Sequence, residues 1–377
     1  MSAKRNLGWL AAASGVALLL SSCSSNGATT SASSTTGTTA MKCNVGIAMP
    51  TRSLERWIND GEGLQALLKA DGCTVDLQYA DNKTDQQISQ LQNMIANGAT
   101  ILVIASIDGT TLGPVLADAG AAGIKVIAYD RLINNTPNVD YYATFDNLLV
   151  GTLQGQFIEK TLGLKDGKGP FFFEPFAGSP DDNNAKYFFT GAWTVLSPYV
   201  DSGKLVIKSG KSPKLGDDSW KTIGILGWGS DDAQAEMDNR LASFYTTDKV
   251  QVVLSPNDSL AQGIAASLAG AGYTPGTDWP VLTGQDGDKA SVVNMLAGKQ
   301  SMTVWKDTRE LGKRVHEMIK SIIAGTAVET NDTTTYNNGV KVVPSYLVLP
   351  QVVTNDKADI QKNLIDSGFL KASDVGL

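Results

Sequence analysis

Thr100-Ile-Leu-Val-Ile-Ala105 and Ile124-Lys-Val-Ile-Ala-Tyr129 are short, nearly continuous apolar runs rich in β-branched residues, separated by a helix-compatible stretch near Thr111–Ala121. A strand with one wet face alternates apolar and polar residues, whereas an unbroken apolar run belongs to a strand buried on both faces. Strand, helix, strand at this spacing calls for a right-handed crossover between parallel neighbours. The same unit recurs upstream as Val45–Met49, an amphipathic stretch over Leu54–Lys69, Thr74–Tyr79 and a helix over Gln86–Ala96. In that helix Ile88, Leu91, Met94 and Ile95 keep helical spacing.

After Tyr141–Phe145 a second series begins, with strand-like runs at Pro170–Phe173, Leu205–Ile207, Thr222–Leu226, Val250–Ser255 and Val281–Gly284. Helical stretches fall at about 182–197, 231–244, 259–270 and 288–297. Met302–Trp305, a helix over Thr308–Ala324 and a strand-rich tail over Gly339–Val353 follow. The expected fold class is α/β, as two open parallel sheets of similar plan flanked by helices. Ligands of such sheets sit beyond the carboxyl ends of the strands.

Composition excludes several functions. The 377 residues carry 31 Lys plus Arg against 38 Asp plus Glu, a net charge of −7, with no dense basic block to meet a phosphate backbone, so no nucleic-acid partner is expected. One His and three Cys leave no His-rich metal site and no Ser–His or Cys–His relay except one built on His316. No G-x-x-x-x-G-K-[ST] occurs, and Gly61-Glu-Gly63-Leu-Gln-Ala66 lies inside a helix rather than at a strand-to-helix turn. No metal and no cofactor are expected. His316 reads as an interfacial residue of its helix.

Lys4 and Arg5 precede a mostly apolar Leu10–Leu20, too short for a bilayer span of about 20 residues and suited to a secretory signal. Leu20-Ser21-Ser22-Cys23 resembles the lipobox of bacterial lipoproteins, which implies a removed leader over 1–22 and a diacylglycerol on Cys23. Ser24–Ala40 is almost entirely Ser, Thr, Gly and Ala, the composition of a flexible tether, here assigned to 23–42. The expected localisation is outside the cytoplasm, anchored to the membrane. Export permits a disulfide between Cys43 and Cys73, each just ahead of a strand; two buried thiols are the alternative.

The strand ends collect a consistent chemistry. Arg52, Arg56 and Trp57 follow the first strand, Asp108 the third, Asp130 and Arg131 the fourth, and Asp146 and Asn147 the fifth. The second series adds Asp182 and Asn184, Trp228, Asn257 and Asp258, Gln285 and Asp286, and Lys306. Carboxylates accept from hydroxyls, Arg, Lys and Asn donate to them, and an indole covers a face of C–H groups: together these suit a monosaccharide. Each residue also has a plainer reading. Asp146, Asp182 and Asp258 could be helix N-caps, and Trp57 and Trp228 could be core or surface residues.

Several blocks make the chain resemble the periplasmic sugar-binding proteins of ABC importers, in particular the ChvE-type multiple-sugar receptors and, more distantly, the xylose-binding proteins. They include Glu55-Arg-Trp57, Val103-Ile-Ala-Ser-Ile-Asp-Gly-Thr-Thr-Leu112, Val126-Ile-Ala-Tyr-Asp-Arg131 and Asn138-Val-Asp-Tyr-Tyr-Ala-Thr-Phe-Asp-Asn147. Gly178-Ser-Pro-Asp-Asp-Asn-Asn-Ala185, Thr283-Gly-Gln-Asp286, Lys306-Asp-Thr-Arg-Glu310 and Tyr336-Asn-Asn-Gly-Val-Lys-Val-Val-Pro344 complete the set, which spans 45–350. Departures are Gly229-Ser230 after Trp228, a longer Lys211–Trp220 and Arg52 where Lys is common.

The resemblance implies a two-lobed type I periplasmic-binding fold with a hinge, one lobe over 43–146 plus 306–340 and the other over 147–305 plus 341–377. It implies that Arg56, Trp57, Asp130, Arg131, Asn147, Asn184, Trp228, Asn257, Asp258, Asp286 and Lys306 bind the sugar. It implies as partners an aldose such as xylose, glucose, galactose or arabinose and the ABC permease subunits, with a chemoreceptor or sensor kinase as a further reader of the closed form. A monomer is expected, and no enzyme. A glycosidase would need two carboxylates, one of them protonated, and Arg131 and Lys306 would hold Asp130, Asp258 and Asp286 ionised. A transcriptional regulator of this fold would carry a helix-turn-helix in place of the leader and tether.

Overall fold

The computed structural model describes residues 41–377. The expected leader, Cys23 and the Ser/Thr-rich stretch to residue 40 lie outside the described residues. The folded body starts slightly earlier than the expected tether boundary at 42. Met41 packs against the first core, and the Lys42 carbonyl accepts from Thr100 Oγ1 at 2.6 Å.

The first half builds one sheet from β1 (Asn44–Met49), β2 (Thr74–Tyr79), β3 (Ile101–Ile104), β4 (Lys125–Tyr129), β5 (Tyr141–Phe145) and, from the tail, Ser345–Val348. All six strands are parallel, with the tail strand beside β5 and β2 at the far edge. α1 (Glu55–Ala70) packs on one face with the later helix Thr308–Ala324, while α2 (Thr84–Ala96) and α3 (Gly113–Ala121) cover the other. Both faces are therefore dry. In β3, Ile101 and Val103 join one core while Leu102 and Ile104 join the other, which is why the run does not alternate.

β1 and β2 pair from their first residues, Asn44 opposite Thr74, and the preceding Cys43 and Cys73 are joined by a disulfide with Cα atoms 4.9 Å apart. The bridge closes a loop with a sequence separation of 30, worth about 3–4 kcal/mol in the loop-entropy description. The double variant Cys43→Ala/Cys73→Ala is expected to lose stability of about that size in urea titrations. Labelling of both thiols in the unreduced, denatured parent would overturn the pairing.

The second half opens on a helix that the strand-and-helix reading of the sequence passed over, α4 (Asn147–Leu162). Its partner is α5 (Asn183–Asp201), which crosses so closely that a Cβ on Gly151 would fall 1.8 Å from the Phe188 carbonyl oxygen. β6 (Phe171–Pro175), β7 (Leu205–Val206), β8 (Val252–Leu254) and β9 (Val281–Leu282) form a parallel sheet in the order β7-β6-β8-β9. β10 (Gln285–Asp286) and β11 (Met302–Trp305) extend it, joined by hydrogen bonds from Ser301 N to Leu282 O and from Val304 N to Gly284 O. β12 is the tail strand Ser345–Val348 of the first sheet, and β13 (Gln351–Thr354) returns antiparallel to β11. α6 (Ser230–Phe244), α7 (Asp258–Gly270) and α8 (Lys289–Leu296) pack around this sheet, and α9 is Thr308–Ala324.

Two expectations need correction. Thr222–Leu226 is not a strand: two short 3-10 turns occupy 218–223 and 226–228, broken at Gly227 with φ +65°, and only a single bridge joins Ala177 to Gly224. The last chain crossing also differs from the expected boundary at 340/341. β12 pairs with β5, so the chain stays in the first lobe through Val348 and reaches the second only at β13. β11 and the β12–β13 connection, with the junction between β5 and α4, are the three links between lobes.

Candidate functional site

The carboxyl ends of the two sheets face one another across a cleft lined from both lobes. From the first lobe, α1 presents Arg56 and Trp57 on its first turn, and Asp130 and Arg131 leave the end of β4. From the second come Asp182 and Asn184 at the start of α5, Trp228, Asn257, Gln285 and Asp286. Lys306 follows the linking strand β11. Leu54 and Phe188 complete the lining.

Buried charges are paired here into a lattice. Arg56 Nη1 lies 2.9 Å from Asp130 Oδ2 and 3.5 Å from Asp286 Oδ1, while its Nη2 lies 3.0 Å from Asp60 Oδ2. Lys306 Nζ is 3.0 Å from Asp286 Oδ1. Arg131 Nε reaches across the lobes to Asp182 Oδ2 at 2.9 Å, and the Trp228 indole N–H donates to the same oxygen at 3.2 Å. Asn184 Nδ2 donates to the Asp130 carbonyl at 2.7 Å, a further bond between lobes.

Burial alone would push the Asp130 carboxyl up, but Arg56, Lys306 and Arg131 outweigh it and hold it below the ordinary carboxylate range. Behind Arg56, burial pushes Asp60 up to about 6 despite the guanidinium, and its other oxygen accepts from Tyr129 OH. Burial likewise raises Asp182.

The backbone is strained where these groups are aimed. Of the six non-glycine residues with positive φ among the described residues, three are in the cleft: Asp130 at 58°, Trp228 at 58° and Asp286 at 108°. Such conformations cost free energy and persist where the surroundings over-determine them. Gly178 fixes the Trp228 ring, since a Cβ there would sit 2.0 Å from its Cη2.

Three cleft-lining side chains hold a buried polar atom with no protein partner: Asp130 Oδ1, Trp57 Nε1 and Gln285 Oε1. The Gln285 amide nitrogen is committed to the Pro256 carbonyl at 3.1 Å, which leaves its oxygen free to accept. A buried polar atom without a partner costs about 1–3 kcal/mol. Two acceptors and a donor lining one cleft therefore fit a ligand that both donates and accepts.

Two expected site residues do not line the cleft. Asp258 is fully buried behind it, accepting from Gly287 N and Asp288 N, both at 2.9 Å, and from Gln300 Nε2 at 2.8 Å and Thr303 Oγ1 at 3.1 Å. Burial, then the Asp286 charge, push it up to about 7. It is not the cap of α7 either, since Asn257 Oδ1 accepts from Leu260 N. Asn147 also sits in the layer behind, donating to Asn184 Oδ1 at 2.9 Å and so orienting that side chain. Asp146 caps α4, and Asp182 both caps α5 and holds Arg131.

Gln285 and Asp182 were legible as strand-end residues but lay outside the set carried by the resemblance. Phe188 had a signal too: it lies one helical turn after Asn184, on the same face of α5. Arg52 points elsewhere, pairing with Glu62 at 3.7 Å and stacking on Tyr79. His316 meets Asp71 at 2.7 Å where α9 packs on α1. Among the described residues there is no cluster of metal-ligating side chains, and no helix is long and apolar enough to cross a membrane.

A pocket lined by charged and polar side chains between two α/β lobes, with the chain passing between them three times, defines a two-lobed binding protein. The family model of the periplasmic binding protein domain matches residues 45–327, and the chain belongs to that family. It is 52% identical over 337 residues to the multiple sugar-binding periplasmic receptor ChvE of Rhizobium radiobacter, covering 89% of this chain and 93% of that one. It is 35% identical over 336 residues to the D-xylose-binding periplasmic protein of Escherichia coli, with 89% and 93% covered. A solved ABC transporter solute-binding protein of Clostridium phytofermentans, with β-D-glucose bound, superposes with a TM-score of 0.83 at 48% identity, covering 88% of this chain and 99% of that chain.

Proposed function

We propose that the protein is an exported receptor, tethered to the membrane through Cys23, that captures a monosaccharide between its lobes and delivers it to the permease of an ABC importer. The observation that carries this reading is the set of unpartnered polar atoms in the cleft, at Asp130, Trp57 and Gln285. Hydroxyls satisfy donors and acceptors alike. Arg56, Arg131 and Lys306 face Asp130, Asp182 and Asp286 in equal number, so the lining favours a neutral ligand. Trp57, Trp228 and Phe188 wall the cleft with aromatic rings, which suit the C–H face of a pyranose. The relatives described as multiple-sugar and xylose receptors, and the glucose-bound neighbour, support an aldose such as glucose, xylose, galactose or arabinose.

Sugar-binding roles go to Arg56, Trp57, Asp130, Arg131, Asn184, Trp228, Asn257, Asp286 and Lys306, with Asp182 and Gln285 added, and Asn147 and Asp258 acting behind them. Both lobes contact the ligand only when closed, so the sugar draws the open–closed equilibrium toward closure. Nothing in this role needs a general acid, and the cations around Asp130 keep it ionised.

A thermal-shift screen of the purified chain tests the reading. A sugar at about 1,000 times its Kd adds roughly 4 kcal/mol, a rise on the order of 5–10 °C. Disaccharides, nucleotides and amino acids serve as controls, and absence of any response to monosaccharides by folded, ligand-free protein would overturn it. For the anchor, Cys23→Ala is expected to move the protein from the membrane fraction to the soluble one; unchanged fractionation would argue against lipidation.

A further inference from the structure

Contacts between the lobes also lie outside the sugar cleft, among them one made by Glu55. Glu55 opens α1, one residue before Arg56, yet does not line the cavity. Its Oε2 accepts from the backbone N–H of Lys289 at 3.3 Å, and its Oε1 lies 3.4 Å from Lys289 Nζ. Lys289 is the first residue of α8, in the other lobe.

The helix end explains why this bond has a purpose. The first N–H groups of a helix lack intrahelical partners and carry partial positive charge. The residue in the capping position of α8, Asp288, makes no side-chain cap bond. Glu55 supplies that acceptor from across the rim. The Lys289 ammonium has a second neighbour, Asp374 at 3.8 Å, in the C-terminal segment that packs against α8 within the same lobe. Glu55, Lys289 and Asp374 share one groove at the lobe junction.

We propose that Glu55 is a closure clasp, a positioning residue that holds the lobes together around a captured ligand by capping α8 in trans and pairing with Lys289, whose ammonium passes to Asp374 when the lobes open. The clasp rests on the receptor reading above. It touches no ligand, so it acts on how long the closed form lasts and leaves the choice of sugar alone.

Stopped-flow and equilibrium binding of D-glucose, D-xylose and D-galactose to the full chain test it. Partly exposed ion pairs are modest, so Glu55→Ala is expected to weaken each sugar that binds by about two- to five-fold, through a faster koff and by the same factor. Glu55→Gln keeps an acceptor for the Lys289 N–H and recovers part of the loss. Lys289→Met weakens binding similarly, and the Glu55→Ala/Lys289→Met pair is less severe than the product of the single effects. Asp374→Asn does not weaken binding, because it removes the partner available to Lys289 in the open form. An unchanged koff in Glu55→Ala, an altered ranking of sugars, or fully multiplicative single effects would overturn the clasp. If the unsubstituted chain binds none of the sugars, the receptor reading itself fails, and the clasp with it.

Discussion

Asp130→Asn lowers monosaccharide affinity by about 100-fold or more while leaving the chain folded. Asp130 is the carboxylate whose Oδ1 has no protein partner, while its Oδ2 pairs with Arg56 at 2.9 Å. A hydrogen bond to a charged group contributes about 1.5–3 kcal/mol, and removing one charge of a buried pair adds the penalty of the stranded partner. A combined loss of about 3–5 kcal/mol corresponds to roughly 150- to 5,000-fold in Kd. Asn is the informative replacement because Asp130 has φ of 58°, a conformation Asn tolerates better than most residues, so the backbone that aims the side chain survives. Titration calorimetry, with circular dichroism as the check on folding, gives the answer. A Kd within ten-fold of the parent would remove Asp130 from the centre of the site.

Gly178→Ala acts from outside the lining with an effect almost as large. The added Cβ would meet Trp228 at 2.0 Å from Cη2 and 2.4 Å from Cζ3, both in the rigid ring, so the indole has to move. Moving it breaks the bond from Trp228 Nε1 to Asp182 Oδ2, and Asp182 is the carboxylate that holds Arg131 across the lobes. Overpacking of this kind costs about 1–3 kcal/mol of stability. Sugar affinity is expected to fall by about 10- to 100-fold, since one aromatic wall and one bond between lobes are lost together. Gly63→Ala is the control: it lies within α1 with no atom inside 4 Å of the new Cβ, and is expected to leave affinity unchanged and stability unchanged or slightly higher. Parent-like affinity in Gly178→Ala would mean that Trp228 does not shape the site.

The parts of the site legible in the sequence share a local cause. Asp130 and Arg131 immediately follow the five residues of β4, and Arg56 and Trp57 begin the first helix after β1. A strand that ends at the carboxyl edge of a parallel sheet delivers its next residues to the ligand side whatever the remote partners are. Asn257 and Asp258 show where that reasoning stops. They are adjacent and follow the same strand, yet Asn257 is the extended N-cap of α7 and Asp258 its first helical residue, so their side chains leave the backbone in different directions. Asn257 caps α7 and lines the cavity, while Asp258 turns inward to Gln300 and Thr303, more than forty residues away in the chain.

The alternation of strands and helices, the dry character of both sheet faces, and the strand ends at which polar residues gather can all be read along the chain. Those follow from hydrophobic period and chain connectivity, which are local properties. Four features emerge only in the folded molecule: β12 returns to the first sheet, Asp182 rather than Asp258 faces the cavity, Gly178 backs Trp228, and Glu55 caps a helix of the opposite lobe. Each of these depends on which surfaces meet in the folded chain, and the residues that meet there lie tens to hundreds of positions apart. Pairing at that range is set by packing and charge compensation in three dimensions, and no window along the chain contains both partners.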